Sequence, residues 1–416
     1  MKEILKGSLI IVIFKILGAA SLFLTYILIP RYYGVEEFGI FNLIFALMMI
    51  STVISRIGLD IYVLRVLPSL ADEHQQISLF LKEVFKIMIM SSMLMSVVIF
   101  LLSDILNTYL FKSIDASDYL LGLALIILPY TFFNVLAEVF RGLDDIKWYS
   151  FFRNLSQNFS IALLLAISIF TSLKYDPIYI LYAAVLLITT VLILVLYKFL
   201  KKKNITIFIT GKYSNKILKN SYPMFLASSV MFLMGYVDSF MISYYLDEYQ
   251  VGIYSACINL SMIITFIPIA IGGFIATRVS EAYSKNDDDR VKEIFKNSLK
   301  LIGIFTLPIF LIMVIYGDFF LGLFGSAFTV ATTTLLITNI AFLSEALCGP
   351  VGFILNMTDN QHIFMKILII SLLINITFNA LFIPIYGING AAIAVLFSMF
   401  FWTISSLIFL KRKEII

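Results

Sequence analysis

The sequence predicts an all-α membrane protein with twelve transmembrane helices in two six-helix lobes, a parallel repeat around a central cavity. Three observations predict this fold: apolar stretches of membrane-spanning length fill the 416 residues, basic residues sort by side, and the first half is faintly repeated in the second. Charged residues make up 13% of the chain, whereas soluble domains carry roughly 25%. This composition excludes a soluble globular protein.

The apolar stretches are helices, because runs of about 20 apolar residues cross the roughly 30 Å hydrocarbon layer and the alternating strands of a membrane barrel are not seen. The first run is too long for a signal-peptide core and has no small-residue cleavage site, so we expect a retained helix. The predicted spans are 8–30, 40–61, 84–103, 119–141, 151–172, 178–199, 221–245, 253–277, 299–320, 328–350, 363–385 and 388–410.

Basic residues predict the orientation of these spans. Most of the 30 Lys and Arg residues fall at the two termini or in the even-numbered connections, and only Arg31, Lys112 and Lys174 lie on the opposite side. Because Lys and Arg near helix ends stay in the cytoplasm, both termini are predicted to be cytoplasmic. The polar linker 198–220, which includes Lys212 and Lys216, joins the two halves on that side.

A weak internal repeat predicts the two lobes. The segment RYYGVEEFGIF (31–41) resembles YYLDEYQVGIY (244–254) at an offset of 213, and EVFK (83–86) resembles EIFK (293–296) at an offset of 210. Duplication of a six-helix unit leaves such a pattern and gives halves of parallel topology. The predicted lobes are residues 1–205 and 206–416.

Polar residues inside the spans indicate where function lies. An ionisable side chain there costs at least about 2.5–3.5 kcal/mol, so it needs a partner or a hydrated cavity. Lys15 lies about 10 Å past the start of its helix at 1.5 Å per residue, and Asp238 lies deep in the seventh span. The candidate substrate-binding residues are Lys15, Arg56, Arg141, Arg153 and Arg278. The candidate coupling or cavity carboxylates are Asp238, Glu138 and Glu345.

Several polar residues recur at helical spacing, which places each set on one helix face. The sets are Thr52, Arg56 and Asp60; Tyr130, Asn134, Glu138 and Arg141; Arg153, Gln157 and Ser160; Thr338 and Glu345; and Asn375 and Asn379. Cations from five helices converging near the cytoplasm would form a basic vestibule that suits an anionic substrate. Local ion pairing, or snorkelling of the long side chains into the headgroups, is the alternative interpretation.

No enzyme motif is found, so the protein is predicted not to be an enzyme. Cys257 and Cys348 lack metal-ligand spacing and are interpreted as packing residues, and His74 and His362 are too few for a histidine-rich metal site. No cofactor, no metal and no nucleic-acid partner is expected.

Four stretches together resemble the polysaccharide flippases (O-antigen or capsule repeat-unit flippases) of the multidrug/oligosaccharidyl-lipid/polysaccharide exporter superfamily. They lie after the first helix, at the exit of the fourth, in the seventh and at the start of the twelfth: 31–41, 140–148, 238–256 and 383–392. The resemblance implies alternating access and transport of a polyprenyl-pyrophosphate-linked oligosaccharide, for lipopolysaccharide or another polysaccharide, from the cytoplasmic to the outer leaflet. The resemblance supports Arg141 and Asp238 as functional residues, because both lie within the matching stretches.

Other partners that follow from the resemblance are membrane lipids, a coupling ion (H+ or Na+) and polysaccharide polymerases. Two alternatives share the superfamily. A lipid II-type peptidoglycan precursor flippase usually carries two more helices, and a cation-coupled multidrug exporter is expected to have an acidic or aromatic cavity. A glycosyltransferase of the same pathways would need a large outer loop, which the sequence lacks.

Overall fold

A computed structural model of the chain describes residues 2–70, 73–171, 173–206, 210–211, 213, 217–285 and 287–416, so Lys212 and Lys216 of the polar linker lie outside the described residues. The described residues form α-helices joined by short turns and contain no β-strand. The helices are α1 Lys2–Tyr32, α2 Val35–Arg56, α3 Leu59–Val66, α4 His74–Leu110, α5 Ser117–Gly142, α6 Ile146–Ser150, α7 Gln157–Phe170, α8 Pro177–Lys202, α9 Ile217–Tyr245, α10 Glu248–Ser261, α11 Phe266–Ser284, α12 Asp288–Ile315, α13 Gly317–Gly322, α14 Thr332–Leu347, α15 Val351–Met357, α16 Gln361–Tyr386 and α17 Ile388–Arg412.

The prediction of an all-α multipass membrane protein is confirmed. Within the described part of the chain, 11 helical runs are long and apolar enough to cross a membrane, and each overlaps a predicted span. Of the remaining predicted span, 151–172, residues 151–170 are also helical, but a π turn at Phe151–Ser156 precedes α7. With 14 residues, α7 alone is shorter than the roughly 20 residues that cross the hydrocarbon layer.

Apolar side chains lie exposed along the sides of the helices, as lipid requires. Leu101, Leu125 and Phe170 are 69%, 78% and 88% exposed. Water would penalise so many exposed apolar side chains by roughly 25 cal/mol per Å². The bilayer is therefore the solvent of these surfaces.

Aspartate side chains cap the start of four helices, α6, α8, α10 and α12. The Asp176 carboxylate accepts a hydrogen bond of 2.8 Å from the amide of Ile178 at the start of α8. Asp247 caps α10 through the amide of Gln250 and Asp287 caps α12 in the same way. A capping side chain satisfies an amide that has no partner within the helix, which defines the helix start.

The internal repeat coincides with helix starts. The first copy begins α2 at Val35 and the second begins α10 at Glu248, so the two helices start at the same offset of 213 as the sequence match. The second match lies nearer the beginning of α12 than of α4, because α4 extends 37 residues from His74. The first turns of α4 are polar, so apolar runs alone predict a shorter helix.

The chain divides into two compact units, Met1–Phe232 and Leu233–Ile416, and the division falls inside α9. The lobe boundaries 1–205 and 206–416 stay a prediction. In the first unit, α5 packs against α2, α3, α4 and α8, and α1 packs against α7. A Cβ atom at Gly18 would lie 1.8 Å from the carbonyl oxygen of Asn154, so α1 approaches its neighbour closely only because residue 18 is glycine.

In the second unit, α17 packs against α14 and α16, and α11 packs against α12 and α15. Ser261 of α10 contacts Thr338 and Asn339 of α14 through hydrogen bonds of 2.7 and 2.9 Å. Hydrogen bonds between buried hydroxyl and amide groups hold membrane helices together, because lipid offers them no other partner. Thr338 is thus a packing residue.

Candidate functional site

The first charged pair lies where α2 ends. Ile57 and Gly58 adopt left-handed conformations, with φ of 49° and 74°, and α3 begins at Leu59. Across this break, Arg56 Nη1 still donates to Asp60 Oδ2 at 2.9 Å. The predicted shared face of Arg56 and Asp60 is confirmed, although the helix does not continue between them.

Asn134 of α5 joins two arginines. Its Oδ1 atom accepts a hydrogen bond from Arg153 Nη1 at 2.6 Å and lies 3.5 Å from Arg56 Nη1. Its Nδ2 atom donates to the Tyr130 carbonyl oxygen at 2.8 Å. Since Asn134 is only 4% exposed, two guanidinium groups from separate helices meet at one buried amide.

A second contact binds the same two segments. The Tyr130 hydroxyl donates to Gln157 Oε1 at 2.9 Å. Tyr130 and Asn134 are one turn apart on α5, and Arg153 and Gln157 are one turn apart across the π turn. The predicted polar faces of the fourth and fifth spans therefore face each other.

Glu138 and Arg141 continue this polar face toward the end of α5. Arg141 Nη1 lies 3.8 Å from Glu138 Oε2, and its guanidinium stacks on the Tyr149 ring at 5.1 Å. The Arg141 side chain is 47% exposed and Glu138 is 11% exposed. Arg141 thus sits at the open edge of the group, while Glu138 lies inside.

We call this group the basic cluster. Its members are Arg56, Asp60, Asn134, Glu138, Arg141 and Arg153. The cluster holds three guanidinium groups and two carboxylates, so one positive charge is left without a matching carboxylate within the cluster. In surroundings of low dielectric constant, such an excess attracts an anion strongly.

Lys15 makes no ion pair with the basic cluster in the described part of the chain. It is exposed on α1, and the preceding residue, Phe14, packs edge to face against Phe151 of the π turn at 5.9 Å. Lys15 also lies three helical turns below Tyr26, which packs on Phe38 of α2 at 5.7 Å. Helical periodicity thus places Lys15 and Tyr26 on the same side of α1, although the Lys15 side chain is exposed.

Arg278 lies in the second unit, in a different setting. Its guanidinium stacks over the Phe274 ring at 4.3 Å. It lines a groove of about 340 Å³ between α11 and α12 with Arg290 and Glu293. Arg278 makes no ion pair with a carboxylate in the described part of the chain.

Asp238 is the buried carboxylate of the second unit. Asn375 Nδ2 and Asn379 Nδ2 of α16 donate to its Oδ1 atom at 3.0 and 2.6 Å. The buried Tyr254 of α10 lies beside the carboxylate. We call Asp238, Asn375 and Asn379 the Asp238 site. The prediction that the two asparagines bond a neighbouring helix is confirmed.

Glu345, the third predicted carboxylate, lies on α14 and is half-buried. No hydrogen bond or ion pair joins it to the Asp238 site in the described part of the chain. No group of three or more His, Cys, Asp or Glu residues that suits a metal ion occurs among the described residues.

Two features of the site were not predicted. The π turn at Phe151–Ser156 has no marker in the sequence, because proline and glycine are absent from it. The sharing of Asn134 by two arginines depends on how α2, α5 and the π turn pack. The helical spacing of Tyr130, Asn134 and Glu138 was the one available signal.

Fold and site together define a multipass membrane protein, helical throughout its described residues, with a partly buried basic cluster in one unit and a buried carboxylate in the other. The chain belongs to the family described as "Polysaccharide biosynthesis protein", which matches residues 4–275. This confirms the predicted family. A second family, described as MatE, matches residues 223–381.

Curated relatives come from Haloferax volcanii. The chain is 25% identical to a probable low-salt glycan biosynthesis flippase, Agl15, over 40% of this chain and 36% of that protein. It is 27% identical to a probable flippase, AglR, over 40% of this chain and 35% of that protein. The alignments thus span about a third of the length of these relatives.

Solved structures share the fold. The lipid II flippase MurJ in an inward closed conformation gives a TM-score of 0.79 at 16% identity, covering 99% of this chain and 89% of that chain. An inward-facing multidrug resistance MATE family transporter of the MOP superfamily gives a TM-score of 0.72 at 14% identity, covering 95% of this chain and 94% of that chain. These similarities establish the architecture.

Proposed function

We propose that the protein is a flippase. Its substrate is a polyprenyl-pyrophosphate-linked oligosaccharide repeat unit of an O-antigen, a capsule or an exopolysaccharide, moved from the cytoplasmic to the outer leaflet by alternating access. The single observation that carries the proposal is the hydrogen bond between the exposed Arg153 guanidinium and the buried Asn134 amide, inside a cluster with an excess positive charge. Family membership and the names of the Haloferax relatives support it.

The chemistry of the basic cluster suits a pyrophosphate. A guanidinium group presents a planar fork of N–H donors that matches phosphate oxygens, and such charge-assisted hydrogen bonds are about twice as strong as neutral ones. The apolar tail of the substrate would stay in the bilayer while the headgroup meets the cations. Lys15, Arg141 and, from the second unit, Arg278 are proposed as further headgroup contacts.

We assign ion coupling to the Asp238 site. Carboxylate and amide oxygens are the ligands that hard cations prefer. Asn379 Oδ1 is buried and makes no hydrogen bond among the described residues, so it is a free acceptor next to the carboxylate. Binding of H+ or Na+ would neutralise a charge that is costly to bury. Glu138 and Glu345 are the other proposed carboxylates for coupling or for the local field.

We also propose the remaining properties that the sequence and the resemblance predict. The protein acts without enzymatic chemistry, both termini face the cytoplasm of a bacterial cell, and polysaccharide polymerases take up the delivered repeat units. The short connections on the predicted outer side leave the substrate accessible to such partners.

The proposal is tested with the full chain in proteoliposomes that contain a defined lipid-linked oligosaccharide, where outer-leaflet sugar is detected by a membrane-impermeant lectin. We expect accumulation that depends on the protein. Parallel vesicles that hold lipid II, or a fluorescent organic cation, test the two alternatives. Transport of only the organic cation would identify a multidrug exporter, and transport of only lipid II would identify a peptidoglycan precursor flippase.

A further inference from the structure

Arg56 and Arg153, the two arginines that meet at Asn134, differ in their surroundings. Arg56 is 4% exposed and donates to Asp60 at 2.9 Å and to the Thr52 carbonyl oxygen at 3.4 Å. Its guanidinium also lies 5.7 Å from the centre of the Phe232 ring. Arg56 is therefore charge-paired and enclosed on several sides, with little room for a ligand.

Arg153 has the opposite character. Its side chain is exposed, and it makes no ion pair with a carboxylate in the part of the chain that the structure describes. Its hydrogen bond to Asn134 Oδ1, at 2.6 Å, uses one Nη1 donor. Because a guanidinium carries several N–H groups in a planar fork, most of the donors of Arg153 stay available for an anion.

The Asn134 amide has a defined orientation. Its Nδ2 atom donates to the Tyr130 carbonyl oxygen at 2.8 Å, so Oδ1 is the atom that faces the arginines. The hydrogen bond between Tyr130 and Gln157, at 2.9 Å, holds the far end of the π turn against α5. These contacts limit the directions in which the Arg153 guanidinium can point.

The π turn explains how Arg153 reaches this position. A π turn widens the helix by one residue and shifts the side chains that follow, and such turns are frequent at functional sites. Phe151 and Phe152 anchor the turn on Phe14 and Phe140, at ring distances of 5.9 and 5.8 Å. The anchored backbone directs Arg153 and Gln157 toward the same face of α5.

We infer that Arg153 is the residue that contacts the substrate's pyrophosphate, that Asn134 is the positioning residue that orients it, and that Arg56 serves the fold through its pair with Asp60. This inference rests on the proposed function. It assigns different tasks to two arginines that occupy one cluster. A neutral acceptor at residue 134 is essential to it, since a carboxylate there would pair with Arg153 and cancel its charge.

Binding to the full chain in detergent tests the assignment, with an isoprenoid pyrophosphate that carries no sugar as the probe. We expect Arg153→Gln to weaken binding about 10- to 100-fold, the loss of a charge-assisted contact. Arg153→Lys keeps the charge but lacks the planar fork of donors, so its affinity should lie between those of the wild type and Arg153→Gln. Asn134→Asp should weaken binding as much as Arg153→Gln does. The matched controls, Asn204→Asp and Arg412→Gln at exposed positions, should bind within about twofold of the wild type.

Arg56 provides the contrast. Arg56→Gln should lower the melting temperature but leave the affinity of the folded protein within about threefold. If this variant does not fold, the double variant Arg56→Met and Asp60→Leu removes both charges of the pair and should bind like the wild type. Equal losses for Arg56 and Arg153 variants, or full affinity in Asn134→Asp, would overturn the inference. A wild type that binds no isoprenoid pyrophosphate would instead overturn the proposed function.

Discussion

Asn379 Nδ2 donates a hydrogen bond of 2.6 Å to Asp238 Oδ1, although 141 positions separate the two residues in the sequence. Asn375, one turn away on the same helix, donates to the same oxygen atom at 3.0 Å. Two amides thus stabilise one carboxylate in a part of the chain that spans the membrane. The arrangement combines a buried carboxylate with two neighbouring amide side chains.

The Asp238 site predicts a separation of stability from coupling. Asp238→Asn keeps the size of the side chain and removes the charge, so the melting temperature should stay the same or rise while the dependence of transport on Na+ or pH gradients disappears. Asp238→Ala leaves two amide donors without their acceptor and should cost about 1–3 kcal/mol of unfolding free energy. Thermal unfolding in detergent and gradient-driven transport in vesicles measure the two effects.

The matched control for this pair is Asp289→Asn, because Asp289 is an exposed aspartate in the first turn of α12. Asp289→Asn should change neither the melting temperature nor the dependence of transport on Na+ or pH gradients. If Asp238→Asn transports with unchanged Na+ and pH dependence, the Asp238 carboxylate has no role in coupling.

Helix packing in the first unit predicts a contrast between two glycines. A Cβ atom at Gly18 would lie 1.8 Å from the Asn154 carbonyl oxygen, whereas one at Gly303 in α12 meets nothing within 4 Å. Gly18→Ala should therefore destabilise the protein by about 1–3 kcal/mol, and Gly303→Ala should be neutral or stabilising by about 0.5–1 kcal/mol.

Unfolding of both glycine variants in the same detergent measures the difference. Similar melting temperatures for the two proteins would contradict the close approach of α1 to the π turn at Asn154.

Much of the fold was predictable because bilayer thickness sets the length of an apolar helix. Four-residue spacing was equally informative, since Arg56 and Asp60 pair even across the break between α2 and α3, and Asn375 and Asn379 do bond another helix. Such patterns say which side chains share a face. They do not say what that face meets, so Asp238 as the partner of the two asparagines followed only from the packing of α9 against α16.

The interruptions of helices were harder to predict. The break after Arg56 has a signal in Gly58, whose left-handed backbone and close approach to the Ser221 carbonyl oxygen require glycine. The π turn before α7 has no comparable residue, because packing of aromatic rings on neighbouring helices stabilises it. Local sequence therefore predicts the first irregularity better than the second.

The distribution of basic residues predicts the sidedness of the chain. A single cysteine replaces either Lys203, at the end of α8, or Lys112, after α4. The background protein also carries Cys348→Ser, whereas Cys257 is kept because it is buried. In intact cells a membrane-impermeant maleimide should label Lys112→Cys and should label Lys203→Cys only after permeabilisation. The reverse pattern would place the termini outside and contradict the predicted orientation.

Transbilayer movement of a lipid-linked oligosaccharide in proteoliposomes tests the central claim most directly, with wild type, Arg153→Gln and the control Arg412→Gln measured at equal incorporation. We predict protein-dependent movement for wild type and control, and a rate about 10- to 100-fold lower for Arg153→Gln. Equal rates for all three proteins would contradict the role of the basic cluster. Equal rates in vesicles with and without the wild type would contradict the proposed flippase function itself.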